Sequence, residues 1–162
     1  MKKRRVRPRV MLVLLTLVAL GAWLYQGDLP AEAVDAKYTS PASQFLTLDD
    51  GARIHFRDEG NRTGLPIVLI HGSMASLHTW TPWVERLGKT YRIITLDLPA
   101  HGLTGAVPSG DYSGAAQLRV VQAVTTHLNL DAFVLGGNSM GGGVSWRYAL
   151  KHPESVLALI LV

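Results

Sequence analysis

Four short, unbroken apolar runs constrain this chain more than any other feature: "IVLI" (Ile67–Ile70), "YRIITL" (Tyr91–Leu96), "AFVLGG" (Ala132–Gly137) and "SVLALILV" (Ser155–Val162). A run of this length without polar alternation suits a strand buried on both faces, the usual condition of a parallel sheet. Segments with helical spacing lie between the runs. Trp80, Trp83, Val84 and Leu87 recur at i, i+3, i+4 and i+7, with Gly88 placed to end the helix. Leu118, Val121, Val124 and Leu128 mark one face of a second helix, with Asp111 or Ser113 as its cap and Asn129 after its end. Met140 to Lys151 reads as a third, stopped by His152-Pro153. Strands alternating with helices imply parallel βαβ units and an open, twisted α/β sheet with flanking helices. Ahead of them "QFLTL", "DDGA" and "RIHFRDEG" describe an antiparallel hairpin.

In such a sheet, sites form beyond the carboxyl ends of the strands. Three loops fall there: "HGSMAS" after Ile70, "DLPAHGLTG" after Leu96 and "GNSMGG" after the third run. The last contains Gly137-Asn138-Ser139-Met140-Gly141, a G-x-S-x-G pattern with an apolar strand before it and a helix after it. A serine hydroxyl is a poor nucleophile near neutral pH and needs a base. A tight strand-to-helix bend would hold Ser139 out of the sheet. Side chains two residues to either side would collide with strand or helix, which explains Gly137 and Gly141. The Met140 N–H, at the start of its helix, would face the oxyanion of a tetrahedral intermediate. The loop at His71 and Gly72 would supply a second donor, the N–H of Ser73 or alternatively of Met74. The competing readings are a plain glycine-rich βα turn at Ser139 and an ordinary turn at His71-Gly72.

These loops together resemble those of the α/β-hydrolase family. "IVLIHG" is similar to its oxyanion strand and loop, "TLDLPAHGLT" to its D-x-P-G-H-G-x-S loop, and "LGGNSMGG" to its nucleophile elbow, in the family's order, from about Phe45 to Val162. Ala100 stands where glycine is usual and Thr104 where serine is. The resemblance implies a mostly parallel sheet of the α/β-hydrolase type, cut off at about the sixth strand. It implies Ser139 as nucleophile, Met140 and Ser73 as the oxyanion hole, and Gly137, Asn138 and Gly141 as supports. His71, Gly72, Asp97, His101 and Gly102 belong to the loop motifs. The implied partner is a small-molecule acyl substrate, handled through a covalent acyl-enzyme with no metal or organic cofactor. Relatives that open epoxides or dehalogenate carry Asp at the elbow, so Ser139 argues for ester, thioester, amide or carbon–carbon cleavage.

The resemblance also implies a triad acid and a triad histidine later than Val162. His55, His78, His127 and His152 read as structural or exposed, and Asp97 as the organiser of its own loop. The apolar run at the end reads as a strand with an unpaired edge, so the expectation is the first part of a longer protein, inactive alone. The alternatives are a binding or interaction module and an acyltransferase of the same fold.

The net charge of +4 misleads, because Lys2, Lys3, Arg4, Arg5, Arg7 and Arg9 supply six positive charges. Without them the body is net −2, which gives no support to nucleic-acid binding. The chain has no cysteine, which excludes disulfides and thiolate metal sites. Cations beside the apolar run Val10–Tyr25 point to a membrane helix, either a single-pass anchor or a removed signal; both export the body. A soluble chain with a buried first helix is the third option. The expected organisation is a basic segment and membrane helix over 1–25, a linker over 26–43, and the α/β core over 44–162.

Overall fold

The computed structural model describes residues 8–27 and 29–162, so the basic residues Lys2 to Arg7 lie outside the described residues. The expected hairpin is formed by β1 (Ser43–Thr47) and β2 (Arg53–Gly60), paired antiparallel with Phe45 opposite His55. The four apolar runs become β3 (Pro66–Ile70), β4 (Arg92–Leu96), β5 (Phe133–Gly137) and β6 (Val156–Leu161). The sheet order is β1-β2-β4-β3-β5-β6, with β4, β3, β5 and β6 mutually parallel and β2 antiparallel to β4.

The inner runs are unbroken because alternate residues fill two separate cores. Val68, Ile70, Ile94, Leu96 and Leu135 pack against Val120, Val121 and Val124 of α4 (Gly114–His127) and against Val144 and Tyr148 of α5 (Met140–Lys151). Ile67, Leu69 and Ile93 point the other way, onto Trp80 and, from α3 (Thr81–Leu87), Trp83, Val84 and Leu87. The single helix expected from Trp80 onward is preceded by a 3-10 turn, Leu77–Trp80, that buries Leu77 and Trp80. Ser113 caps α4 by accepting from the Ala116 N–H at 3.2 Å, while Asp111 accepts from the Ser113 N–H and pairs with Arg119. Asn129 closes the helix at φ 52.

Three expectations need correction. The membrane helix over residues 10–25 is not supported: α1 (Pro8–Leu24) has 17 residues, all exposed, and among the described residues no helix is long and apolar enough to cross a membrane. At 1.5 Å per residue it spans roughly 25 Å, short of the roughly 30 Å of a hydrocarbon core. Within the expected linker lies a helix, α2 (Ala31–Tyr38), docked by the Asp35 carboxylate receiving both Arg53 guanidinium nitrogens at 2.7 and 2.8 Å. A helix of two turns draws its stability largely from such tertiary contacts, and this one has no apolar stripe to mark it in the sequence. Finally, β6 is not buried on both faces. It pairs with β5 along one edge only, and Leu157, Leu159 and Leu161 are 57, 40 and 57 % exposed.

The loop after β4 folds back on itself, with the Ala100 N–H donating to Gly105 O at 2.7 Å and His101 N–H to Leu98 O at 3.0 Å. This places Ala100 at φ 66, in the left-handed region where a β-carbon costs about 1–2 kcal/mol. Glycine removes that cost but adds unfolded-chain entropy of about 0.4–1 kcal/mol. Ala100→Gly is therefore expected to stabilise the fold by about 0.5–1 kcal/mol, measured as a higher midpoint in urea unfolding. A lower midpoint would contradict this backbone geometry.

Candidate active site

Between the end of β5 at Gly137 and the start of α5 at Met140 the chain has two residues in which to reverse. Ser139 takes the strained conformation φ 49, ψ −112, and is exposed. Its surroundings hold it there. The Asn138 N–H donates to Ile70 O at 3.1 Å, the Ser139 N–H to Val162 O at 2.9 Å, and the Gly141 N–H to Asn138 O at 2.8 Å. A β-carbon on Gly141 would run into the carbonyls of Ile70 and His71, and one on Gly137 into the backbone of Gly141. Strand and helix therefore meet backbone to backbone. Among the described residues the N–H groups of Met140 and Ser73 have no acceptor.

The loop after β3 runs beside this corner. A methyl group placed on Gly72 would lie 3.5 Å from the Ser139 β-carbon and 2.6 Å from the Asn138 side-chain oxygen. Ser73 and Met74 form its exposed tip, Met74 at φ 55 and 97 % exposed. His71 is fully buried: its Nδ1–H donates to Gly72 O at 2.7 Å and its Nε2 accepts from the Leu98 N–H at 3.1 Å. That pairing uses the neutral ring. Burial pushes the His71 pKa below its ordinary value, against the opposing pull of the Gly72 carbonyl and Asp97. His101 bonds Pro99 O through Nδ1 at 2.9 Å, its ring 5.0 Å from that of His71.

Asp97 is 1 % exposed. Burial works to raise its pKa, but hydrogen bonds from the His55 ring and from the Leu77 and Leu103 N–H groups outweigh burial and hold the carboxyl below its ordinary value. Those bonds measure 2.8, 2.8 and 3.0 Å. Gly102 is required beside the carboxylate, where a β-carbon would overlap its oxygens. Thr104, in place of the usual serine, keeps the hydroxyl chemistry: Oγ1 donates to Asp97 O at 2.8 Å and accepts from the His55 N–H at 2.9 Å.

His55 is the residue that sequence reasoning undervalued. It is closed from solvent, with Nδ1 on Asp97 and Nε2 2.9 Å from the Ser43 hydroxyl. The donor chain Ser43–His55–Asp97 repeats the order of a catalytic triad, yet the sealed ring leaves no approach for a substrate carbonyl. Only the placement of β2 beside β4 reveals the contact, and strand order is not written in local sequence. His78 is exposed, its pKa lowered by partial burial and then by Arg57. His127 packs on Phe56, and His152 on Tyr148 near Glu154. Among the described residues, no histidine or carboxylate is hydrogen-bonded to the Ser139 hydroxyl, and no cluster of His, Asp and Glu could hold a metal ion. A cavity of about 200 Å³ lies behind the loop rather than at Ser139, lined by residues that include Tyr38, Ser76, His78 and Asp97.

Comparison with known proteins agrees with this architecture. Lipase 1 of Psychrobacter immobilis is 35% identical over 118 residues, covering 72% of this chain and 37% of that protein. A 2-hydroxy-6-oxo-6-phenylhexa-2,4-dienoate hydrolase of Burkholderia cepacia is 30% identical over 131 residues, covering 76% and 45%. A solved membrane phospholipase A, described as a bacterial virulence factor, superposes with a TM-score of 0.70 at 28% identity, covering 94% of this chain and 50% of that one. The chain spans about two-fifths of the length of the curated relatives it matches. Residues 66–162 match the family described as the alpha/beta hydrolase fold. The strand order, the strand–helix corner at Ser139 and these similarities lead to one conclusion: this chain belongs to the α/β-hydrolase fold family.

Proposed function

We propose that the protein is a serine hydrolase of an ester-like acyl substrate, with Ser139 as nucleophile. The observation that carries this reading is the exposed Ser139, held in strained backbone next to Met140 and to the Gly72-Ser73 loop, where among the described residues the Met140 and Ser73 N–H groups have no acceptor. Ser139 Oγ adds to the acyl carbonyl while its proton passes to a general base. The oxyanion that forms is held by the Met140 and Ser73 N–H groups. Collapse expels the alcohol, which takes up a proton, and leaves an acyl-serine; water then adds and releases the acid. Among the described residues no histidine or carboxylate is hydrogen-bonded to Ser139, and this reading assigns the base and its orienting acid to sequence beyond Val162.

Lipase 1 and the phospholipase support a carboxylic ester, and the second covers nearly the whole of this chain. A second reading, hydrolysis of a small oxo-dienoate by the same nucleophile and oxyanion donors, is supported by the similarity to the dienoate hydrolase. Export of the domain is part of the proposal, supported by the N-terminal cations and the apolar run that follows them.

In the full-length protein, Ser139→Ala is expected to lower turnover of a short p-nitrophenyl ester by at least about a thousandfold. A rate equal to wild type would remove Ser139 from the chemistry. A second prediction concerns acid. His71 is held neutral, its folded pKa lying below the value of 6.5 that the unfolded chain adopts, so its stabilising contribution is full above about pH 6.5 and declines as pH falls through the folded value. Asp97, depressed below 3.8, adds a further loss that sets in only below about pH 4. Urea midpoints are thus expected to be level from pH 7 to 8 and to decline on acidification below 6.5, and His71→Asn should lessen the first decline, the remainder coming from His78, whose pKa is lowered as well. A midpoint that rises between pH 7 and 5 would contradict the neutral ring.

A further inference from the structure

The loop that presents the Ser73 N–H is short and exposed at its tip, yet it must hold one amide in place beside Ser139. Its two ends are staked to two adjacent residues just after β4, one end to Leu98 and the other to Asp97. At the near end, His71 Nε2 accepts from the Leu98 N–H at 3.1 Å. At the far end, the Leu77 N–H donates to Asp97 Oδ1 at 2.8 Å. The other carboxylate oxygen, Oδ2, receives the Leu103 N–H at 3.0 Å and His55 Nδ1 at 2.8 Å. Asp97 therefore ties three pieces of chain to one point: the loop after β3, the loop after β4, and strand β2. Through the Ser43 hydroxyl on His55 Nε2, the tie extends to the turn before β1, where the Ser40 N–H donates to the same hydroxyl at 3.0 Å.

We infer that Asp97 is a positioning residue for the oxyanion hole: its buried carboxylate, braced by His55, fixes the far end of the His71–Leu77 loop and with it the Ser73 amide. The inference rests on the hydrolase reading for its catalytic consequence and on the hydrogen bonds alone for its structural one. A carboxylate suits this post because it accepts several N–H bonds at once, whereas a carboxamide offers a single acceptor oxygen. Gly102 leaves the carboxylate its room, because a β-carbon there would overlap both carboxylate oxygens.

Asp97→Asn in the full-length protein separates positioning from binding. Loss of an oxyanion donor costs about 10²–10³ in kcat, and a donor merely displaced should cost about tenfold or more, with KM for a p-nitrophenyl ester held within about twofold. An equal rise in KM with kcat unchanged would overturn the assignment, as would wild-type kinetics in a folded variant. A second measurement needs no substitution. In native-state hydrogen exchange of the wild-type protein, the Leu77 and Leu103 amides are both expected to exchange far more slowly than the Ser73 amide, since each is bonded to the Asp97 carboxylate. Exchange of Leu77 as fast as the Ser73 amide would show that Asp97 does not hold the loop. Should the wild-type protein turn over no ester at all, the hydrolase reading falls, and the exchange rates alone decide whether Asp97 is the tether.

Discussion

The approach of two backbones without a side chain between them is the constraint on which the rest of the structure depends. At Gly141, helix α5 lies against the carbonyls of Ile70 and His71, and at Gly137 strand β5 lies against Gly141 itself. That closeness forces the chain to reverse in two residues and pushes Ser139 into φ 49. It also sets the first amide of α5 beside the loop that follows β3. Any β-carbon at either glycine would move the helix away from the sheet, and the corner would open. Strain of this kind persists only where the surroundings over-determine it, and here three backbone hydrogen bonds, together with the sheet and helix behind them, do so.

A second set of constraints is electrostatic. The loops at the carboxyl ends of β3 and β4 are polar backbone that must be buried beside a core, and buried N–H groups need acceptors. Asp97 and His71 meet that need at opposite ends of the loop after β3, Asp97 accepting from Leu77 and His71 from Leu98. Each does so in a fixed ionisation state, the carboxylate charged and the imidazole neutral, in keeping with the direction of its pKa shift. On the far side of the sheet the fully buried Asp58 carboxylate is matched by Arg92 at 2.8 Å and by Arg62. The only tension in the loop after β4 lies at Ala100, a non-glycine residue in left-handed backbone.

What the sequence made legible was whatever depends on local pattern. Unbroken runs such as Ile67–Ile70 report two-sided burial directly, and the hairpin shows in its turn and alternation. The corner at Ser139 was readable because its glycines have a steric reason that does not depend on distant residues. What was not legible depends on neighbours brought together by topology. His55 meets Asp97 only because β2 lies beside β4. Helix α2 is held by Arg53, 18 residues away from Asp35, and its eight residues, though rich in Ala, carry no apolar stripe that would mark a packed helix. The run at Val10–Tyr25 predicts a membrane helix by apolarity, but among the described residues no helix is long and apolar enough to cross a membrane. The run in β6 is as apolar as the inner strands, and its exposure reflects its place at the sheet edge rather than its composition.

The most direct measurement of the central claim is a crystal structure of the full-length protein after reaction with an alkyl fluorophosphonate. The account predicts a covalent phosphonyl group on Ser139 Oγ, with its oxygen about 2.7–3.1 Å from both the Met140 and Ser73 amide nitrogens. An adduct on another residue, or one on Ser139 whose oxygen faces away from both amides, would contradict it.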